Sequence, residues 1–95
     1  MDLEFTGEIF HWRGPAPFHF VAVPDDPSAA IEAVASMVTY GWGVIPVEVR
    51  IGRTDFRTSL FPKEGGYLGP INQAVRTAEE LSLGDDVAIR LRLDV

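Results

Sequence analysis

Apolar and polar residues alternate most clearly along residues 45–60, IPVEVRIGRTDFRTSL, on either side of Gly52 and Arg53. A two-residue connection that contains glycine is typical of a tight β-hairpin, because glycine adopts positive φ without steric cost. The pattern therefore predicts two antiparallel strands that meet at this turn, with Ile51 opposite Thr54.

Counting back from the turn places two pairs of opposite charge on one face of this hairpin, Arg50 with Asp55 and Glu48 with Arg57. The other face holds four large apolar side chains: Val47, Val49, Ile51 and Phe56. Because side chains alternate between the two faces, a slip of one residue would move every charge to the buried side and abolish both pairs. The sequence therefore predicts the register of the hairpin as well as its existence.

Other segments also have the alternation or the composition of strands. They are residues 3–10, 18–23 and 87–95, together with a short strand at 67–68. The second of these is expected to hairpin back on the first. Glu4 and Glu8 on the first strand face outward, as do Arg90 and Arg92 on the last, so we expect these two strands to lie side by side and neutralise each other.

Two segments have helical spacing. In residues 27–40 the apolar stripe consists of Ile31, Val34, Ala35 and Val38. We expect Asp26 to cap this helix, Pro27 to occupy its first position and Gly41 to end it. Pro70 is expected to open a second helix, whose stripe consists of Ile71, Ala74, Val75 and Ala78.

Together these elements predict a mainly β protein with two short helices. An open sheet of five or six strands would expose hydrophobic edges, so we expect a small antiparallel, closed or nearly closed β-barrel with helices plugging its ends. At 95 residues the chain is expected to form one domain, residues 1–95.

Composition and charge exclude some classes of function. The net charge of −6, with eight basic against fourteen acidic residues and Lys63 as the single lysine, disfavours binding to nucleic acid. The chain has no cysteine, no apolar stretch long enough to cross a bilayer and no leader-like beginning, so we expect a cytoplasmic protein and no membrane partner. Two histidines without a close set of acidic partners predict neither a metal site nor a cofactor.

The candidate binding residues centre on the segment HWRGPAP, residues 11–17, whose glycine and prolines predict a loop. His11, Trp12 and Arg13 can stack on, pair with and hydrogen-bond a ligand. The simpler interpretation is that Trp12 folds back over the core and Arg13 covers it. The full predicted ligand-binding set, which would line the mouth of the barrel, is His11, Trp12, Arg13, Trp42, Lys63 and Arg76.

Catalytic motifs are not recognisable in the sequence. Ser59 is not followed by histidine and carboxylate in a known order, and there is no nucleophile elbow. Gly65 and Gly66 lack the Lys-Ser/Thr ending of a P-loop and the spacing of a dinucleotide site. We therefore predict no catalytic residues.

Several segments resemble those of a known family. In chain order they are FTGEIF, FVAVP, GVIPVEVRIG, FRTSLFP, GGYLGPINQAVR and LGDDVAIRL. They resemble the small bacterial β-barrel family DUF1905, a domain of unknown function whose relatives are often fused to bacteriocin-protection (YdeI/OmpD-associated) domains. The resemblance implies a barrel and no established activity. Glu80 and Leu83 depart from the family, where glycine and a polar residue are usual, and they predict a second helix one turn longer.

Three hypotheses of function follow. The first is a non-enzymatic binding module that accepts a small anionic ligand or a peptide end at the barrel mouth. The alternative is a protein-interaction or accessory domain that acts as a homodimer or beside a partner protein, with Phe10, Phe61 and Tyr67 as a contact patch. An enzyme is the least supported of the three.

Overall fold

The computed structural model describes residues 1–12, 18–38 and 43–94. The elements follow in this order: β1 (Asp2–Trp12), β2 (Phe18–Val23), α1 (Asp25–Val38), β3 (Ile45–Ile51), β4 (Thr54–Lys63), β5 (Gly66–Ile71), α2 (Gln73–Ala78) and β6 (Asp86–Arg92). None of the helices in these ranges is both long enough and apolar enough to span a membrane.

The six strands form a closed antiparallel barrel in the order β1-β2-β5-β4-β3-β6. The closure depends on the pairing of β1 with β6, so the first and last strands lie side by side as predicted. Closure pairs every strand on both sides, and the mainly β barrel that the sequence predicts is confirmed.

The register of the central hairpin is confirmed residue by residue. Arg50 pairs with Asp55 and Glu48 with Arg57, and the two ion pairs measure 3.2 Å and 2.7 Å. Gly52 adopts a φ of +60°, the left-handed conformation that this turn requires.

Alternate residues of each strand point into the barrel and form its core. The buried apolar strand residues include Ile9, Val21, Val23, Ile45, Val47, Val49, Ile51, Leu60, Tyr67, Ile71, Val87, Ile89 and Leu91. The ladder of β1 passes from β6 to β2 next to Gly7. A Cβ atom at Gly7 would collide with the Val21 side chain, so this strand crossing requires glycine.

One helix covers each end of the barrel. At the α1 end, Ile31 is 0% exposed in the core, and the hydroxyl of the buried Ser28 donates to the Val23 carbonyl at 3.0 Å. At the α2 end, Val75 is buried beneath the shorter helix. The expectation that helices plug the barrel ends is therefore confirmed.

Contacts at both of its termini fix α2. The Asn72 side chain accepts from the Val75 amide at 2.9 Å and caps the first turn. After the last turn, Glu79 Oε2 accepts from the Thr54 hydroxyl at 2.6 Å and from the Arg53 amide at 3.3 Å. These bonds tie the helix to the β3–β4 turn.

Three predicted boundaries are wrong. β1 continues to Trp12, so His11 and Trp12 belong to a strand, because β2 pairs with them as far as Phe18. Pro70 lies in β5 opposite Phe20, and the second helix begins only after Asn72.

The first helix begins at Asp25, where the Ser28 amide donates to the Pro24 carbonyl, so Asp26 lies within the first turn. Its predicted end, Tyr40, and the stop at Gly41 lie outside the described residues.

Two other expectations need correction. The second helix ends at Ala78 instead of extending by a turn, and Glu80 adopts a φ of +54°, a conformation that favours glycine. Glu4 pairs with Arg90 as expected, whereas Arg92 pairs with Asp2 and Glu8 lies opposite Asp86. The reason is the antiparallel register, which sets residue 2, not residue 8, across from residue 92.

Candidate functional site

On β1 and β2 the inner face of the barrel changes from apolar to polar at the α2 end. Ile9 and Val21, which lie opposite each other, are buried, and the next inward positions on the same two strands are His11 and His19. These two histidines also face each other across the strands, with ring centroids 6.0 Å apart. They therefore stand at the rim, one step beyond the hydrophobic core.

Helix α2 adds a guanidinium group to this rim. Arg76 Nε donates to the Ile71 carbonyl at 3.3 Å, and Nη1 lies 3.4 Å from Nε2 of His19. Ile71 itself is the partner of His19 in the β2–β5 ladder. The strand register and the helix position together assemble His11, His19 and Arg76, which we call the rim cluster.

The contact with Arg76 assigns the tautomer of His19. Arginine has N–H donors and no acceptor, so Nε2 of a neutral His19 must accept and the ring proton must lie on Nδ1. That Nδ1 atom is buried and has no hydrogen-bond partner within the described part of the chain. The rim cluster thus presents a buried N–H donor that is not satisfied.

The charges of the rim cluster are positive. Burial lowers the pKa of His19, and the positive charges of Arg76 and His11 lower it further. Within residues 1–12, 18–38 and 43–94, no carboxylate forms an ion pair with Arg76, whereas Arg50, Arg57, Arg90 and Arg92 each have one. The rim cluster therefore offers donors and positive charge and suits a ligand that supplies acceptors.

The structure brings together two of the six predicted ligand-binding residues, His11 and Arg76. Lys63 lies at the α1 end, beside Glu32 and the β4–β5 turn. Arg13 and Trp42 lie outside the described residues, as does the side chain of Trp12.

His19 is the residue that the sequence interpretation missed, because a lone histidine on a strand is usually a surface residue. The signal that could have identified it is its position in β2, on the same face as the buried Val21 and Val23. That alternation marks it as an inward-facing side chain, not a surface one.

A second feature lies on the outside of the barrel, on the half formed by β1, β2, β5 and β4. Register places six uncharged residues at outward positions, and we call them the apolar strip: Phe10, Phe20, Ala22, Phe61, Leu68 and Pro70. Phe10 and Phe20 are neighbours with ring centroids 6.3 Å apart; Phe20 is buried, at 8% exposure, whereas Phe61 is 44% exposed. Tyr67, which the sequence assigned to a contact patch, is instead inward and buried.

The described residues contain no group of three or more histidine, cysteine or acidic side chains that could hold a metal ion. Comparison with protein families gives one result: residues 5–91 match the model described as Domain of unknown function (DUF1905). No curated protein matches the chain.

Proposed function

We propose that this chain, which belongs to the DUF1905 family of domains of unknown function, is a non-enzymatic binding module. Its ligand is a small molecule or peptide end that carries a carboxylate, and its site is the rim cluster at the α2 end of the barrel. The observation that carries this proposal is a pair of groups that, among the described residues, lack a partner they could use: the Arg76 guanidinium has no carboxylate, and the buried Nδ1–H of His19 has no acceptor.

Leaving such groups unsatisfied is costly. A buried donor without a partner destabilises a protein by roughly 1–3 kcal/mol, and a partly buried charge also loses hydration. Proteins retain such costs where a ligand recovers them. The rim cluster therefore has a physical reason to bind an acceptor.

A carboxylate fits the arrangement of donors. Arg76 has five N–H groups, of which one contacts the Ile71 carbonyl and one contacts His19. The remaining N–H groups can bind one carboxylate oxygen while His19 Nδ1–H binds the other, and bonds of this charge-assisted kind are the strong ones. A cation would be repelled by the Arg76 guanidinium group, which is positively charged and has no acceptor.

The test is a titration of the protein with a short peptide and with the same peptide amidated at its C-terminus. Tryptophan fluorescence and amide chemical shifts report binding. We expect the free acid to shift the amides of His19, Ile71 and Arg76, and the amidated peptide to leave them unchanged.

The matched variants are Arg76→Gln and Arg53→Gln, which remove the same charge from the rim cluster and from an exposed turn. Loss of one charge-assisted bond weakens binding about tenfold, so this loss is expected for R76Q alone. Equal affinities of the two variants, or of the acid and the amide, would contradict the proposal.

As an alternative we propose an accessory role in which two copies meet through the apolar strip. Each copy has a net charge of −6, so association is least opposed where the contacting surface is uncharged. All six residues of the strip are uncharged; Ala22 and Phe61 are exposed, whereas Phe20 is buried beneath its neighbours. Exposed apolar surface of this kind can mark an interaction site.

Sedimentation of the protein and of a Phe61→Asp variant tests this second candidate. A dimer that dissociates in F61D, while Leu83→Asp at an exposed site elsewhere does not dissociate it, supports the accessory role. A monomer at all concentrations contradicts it and leaves the rim-cluster proposal untouched.

A further inference from the structure

The outer face of the other half of the barrel carries eight charged side chains in two rows that cross four strands. In the order β4, β3, β6 and β1, the first row consists of Asp55, Arg50, Arg90 and Glu4. The second row, two residues along each strand, consists of Arg57, Glu48, Arg92 and Asp2.

The two rows differ in the order of their charges. The second row alternates, so Glu48 and Arg92 each have opposite charges on both sides. The first row does not, because Arg50 lies directly opposite Arg90 on the two central strands. Like charges at opposite positions of a sheet destabilise it.

In the part of the chain that the structure describes, the carboxylates bonded to this arginine pair lie on its outer sides. Arg50 Nη1 contacts Asp55 at 3.2 Å, and Arg90 contacts Glu4 through both Nε and Nη2, at 2.8 Å and 2.6 Å. The N–H groups of Arg50 and Arg90 that these bonds do not use remain as donors. The outer surface between the Arg50 and Arg90 side chains is thus flanked by two guanidinium groups.

A surface depression follows the pair. It measures about 420 Å³, and its charged lining consists of Arg50, Arg57, Arg90, Arg92, Asp2, Glu48 and Asp55. A neighbouring depression of about 510 Å³ is also lined by Arg50 and Arg90. The four arginines of this lining each have one carboxylate partner, so the charges balance, and the feature that distinguishes the depression is the adjacency of Arg50 and Arg90.

We propose that this depression binds a phosphate group, free or as a monoester, between Arg50 and Arg90, with Arg92 as a third donor. Because each guanidinium group already has one carboxylate partner, the ligand must bind the N–H groups that remain on both, and a dianion attracts two such groups more strongly than a singly charged carboxylate does. Its oxygens can accept from different strands, and the fork of arginine N–H groups matches phosphate geometry. This site is separate from the rim cluster, so either proposal can fail alone.

The experiment is an NMR titration that observes the Nε–Hε groups of the arginines at constant ionic strength. The probes are inorganic phosphate, glycerol phosphate and acetate. We expect the signals of Arg50, Arg90 and Arg92 to shift together in one saturable curve with both phosphates and not with acetate. Tighter binding of glycerol phosphate identifies an ester as the ligand, and tighter binding of inorganic phosphate identifies free phosphate.

Variants that remove either a positive or a negative charge sharpen the test. Arg50→Gln should weaken phosphate binding about tenfold, while Arg53→Gln, which loses the same charge in the adjacent turn, should have little effect. Asp55→Asn should strengthen binding because it removes a competing carboxylate, and Glu80→Gln, the same charge change beyond α2, should not. The proposal is overturned if the arginine signals do not saturate, or if R50Q and R53Q bind phosphate equally.

Discussion

The two ends of the barrel must both be covered, and the two helices cover them in different ways. At the α1 end, a helix of 14 residues places the fully buried Ile31 into the core, and the buried Ser28 hydroxyl has its acceptor. At the α2 end, a helix of six residues contributes Val75, and the rim beside it carries two histidines and an arginine. The first end therefore stabilises the fold, and the second retains polar groups that we assign to binding.

The strand residues next to each helix follow the same division. Inward positions at the α1 end include the apolar Val23 and the aromatic Tyr67, whereas at the α2 end the inward positions of β1 and β2 are His11 and His19, beside the buried Ile71 of β5. In a small barrel an inward position can hold either an apolar residue that stabilises the core or a polar residue that binds a ligand. Stability and binding therefore compete for the same positions. The following changes test that division.

The largest effect is expected for Ile31→Ala. Removing a fully buried isoleucine from a packed core costs about 3–4 kcal/mol in unfolding free energy, because a cavity remains. Denaturant unfolding measures it, and Met37→Ala on the same helix, at a side chain that is 68% exposed, is the control with a change within about 0.5 kcal/mol. A small loss for I31A would show that the α1 end is not the stabilising one.

His19→Leu should act in the opposite direction. Replacing an unsatisfied buried donor by an apolar group is expected to raise the unfolding free energy by about 1 kcal/mol, while binding of the free-acid peptide is lost. Denaturant unfolding and the peptide titration measure the two effects. If H19L is less stable than the wild type, the orphaned Nδ1–H is not a cost, and the contrast between the two ends disappears.

The pH dependence of stability isolates the same histidine. The pKa of His19 in the folded state lies below its ordinary value, with burial as the main cause and with Arg76 and His11 contributing. The unfolded chain therefore binds the proton more readily, so stability is complete above about pH 6.5 and decreases as the pH falls toward the folded-state pKa. Thermal unfolding between pH 5 and 8, on the order of the usual histidine range, should show a smaller decrease in H19L than in the wild type.

The smallest effect is expected for Glu80→Gly, just beyond α2. Glu80 has a φ of +54°, which strains a residue with a Cβ atom, so glycine should raise stability by about 0.5 kcal/mol. The control is Glu64→Ser. Glu64 also has positive φ, but serine keeps the Cβ atom, so this variant should bring no such gain in stability. Denaturant unfolding of both variants measures these changes. A lower unfolding free energy for E80G would show that the longer α2 expected from the sequence is partly formed.

Sequence reasoning succeeded best where two local constraints agreed. In the β3–β4 hairpin the turn at Gly52 and the charge pair of Glu48 with Arg57 predict one register, and the structure has that register. It failed at Pro70, where a residue that commonly begins helices continues a strand because β2 is available to pair with it. The difference is that the second outcome depends on a partner about fifty residues away in the chain.

The candidate site shows the same limit. Residue chemistry alone selected His11 and Arg76, but it grouped them with Lys63, which lies at the other end of the barrel. The link between them is His19, and its role depends on the β1–β2 register and on the placement of α2. Residue types can indicate which side chains have useful chemistry, but they do not show which of them meet.

What the sequence determined by itself is the alternation of inward and outward residues, the hairpin and the acidic character of the chain. These depend on neighbours in the chain, whose geometry is nearly invariant. The tertiary structure alone decided that Arg76 meets His19 and that Arg50 faces Arg90. Such contacts depend on how distant strands align, and the closure of the barrel sets all of those alignments together.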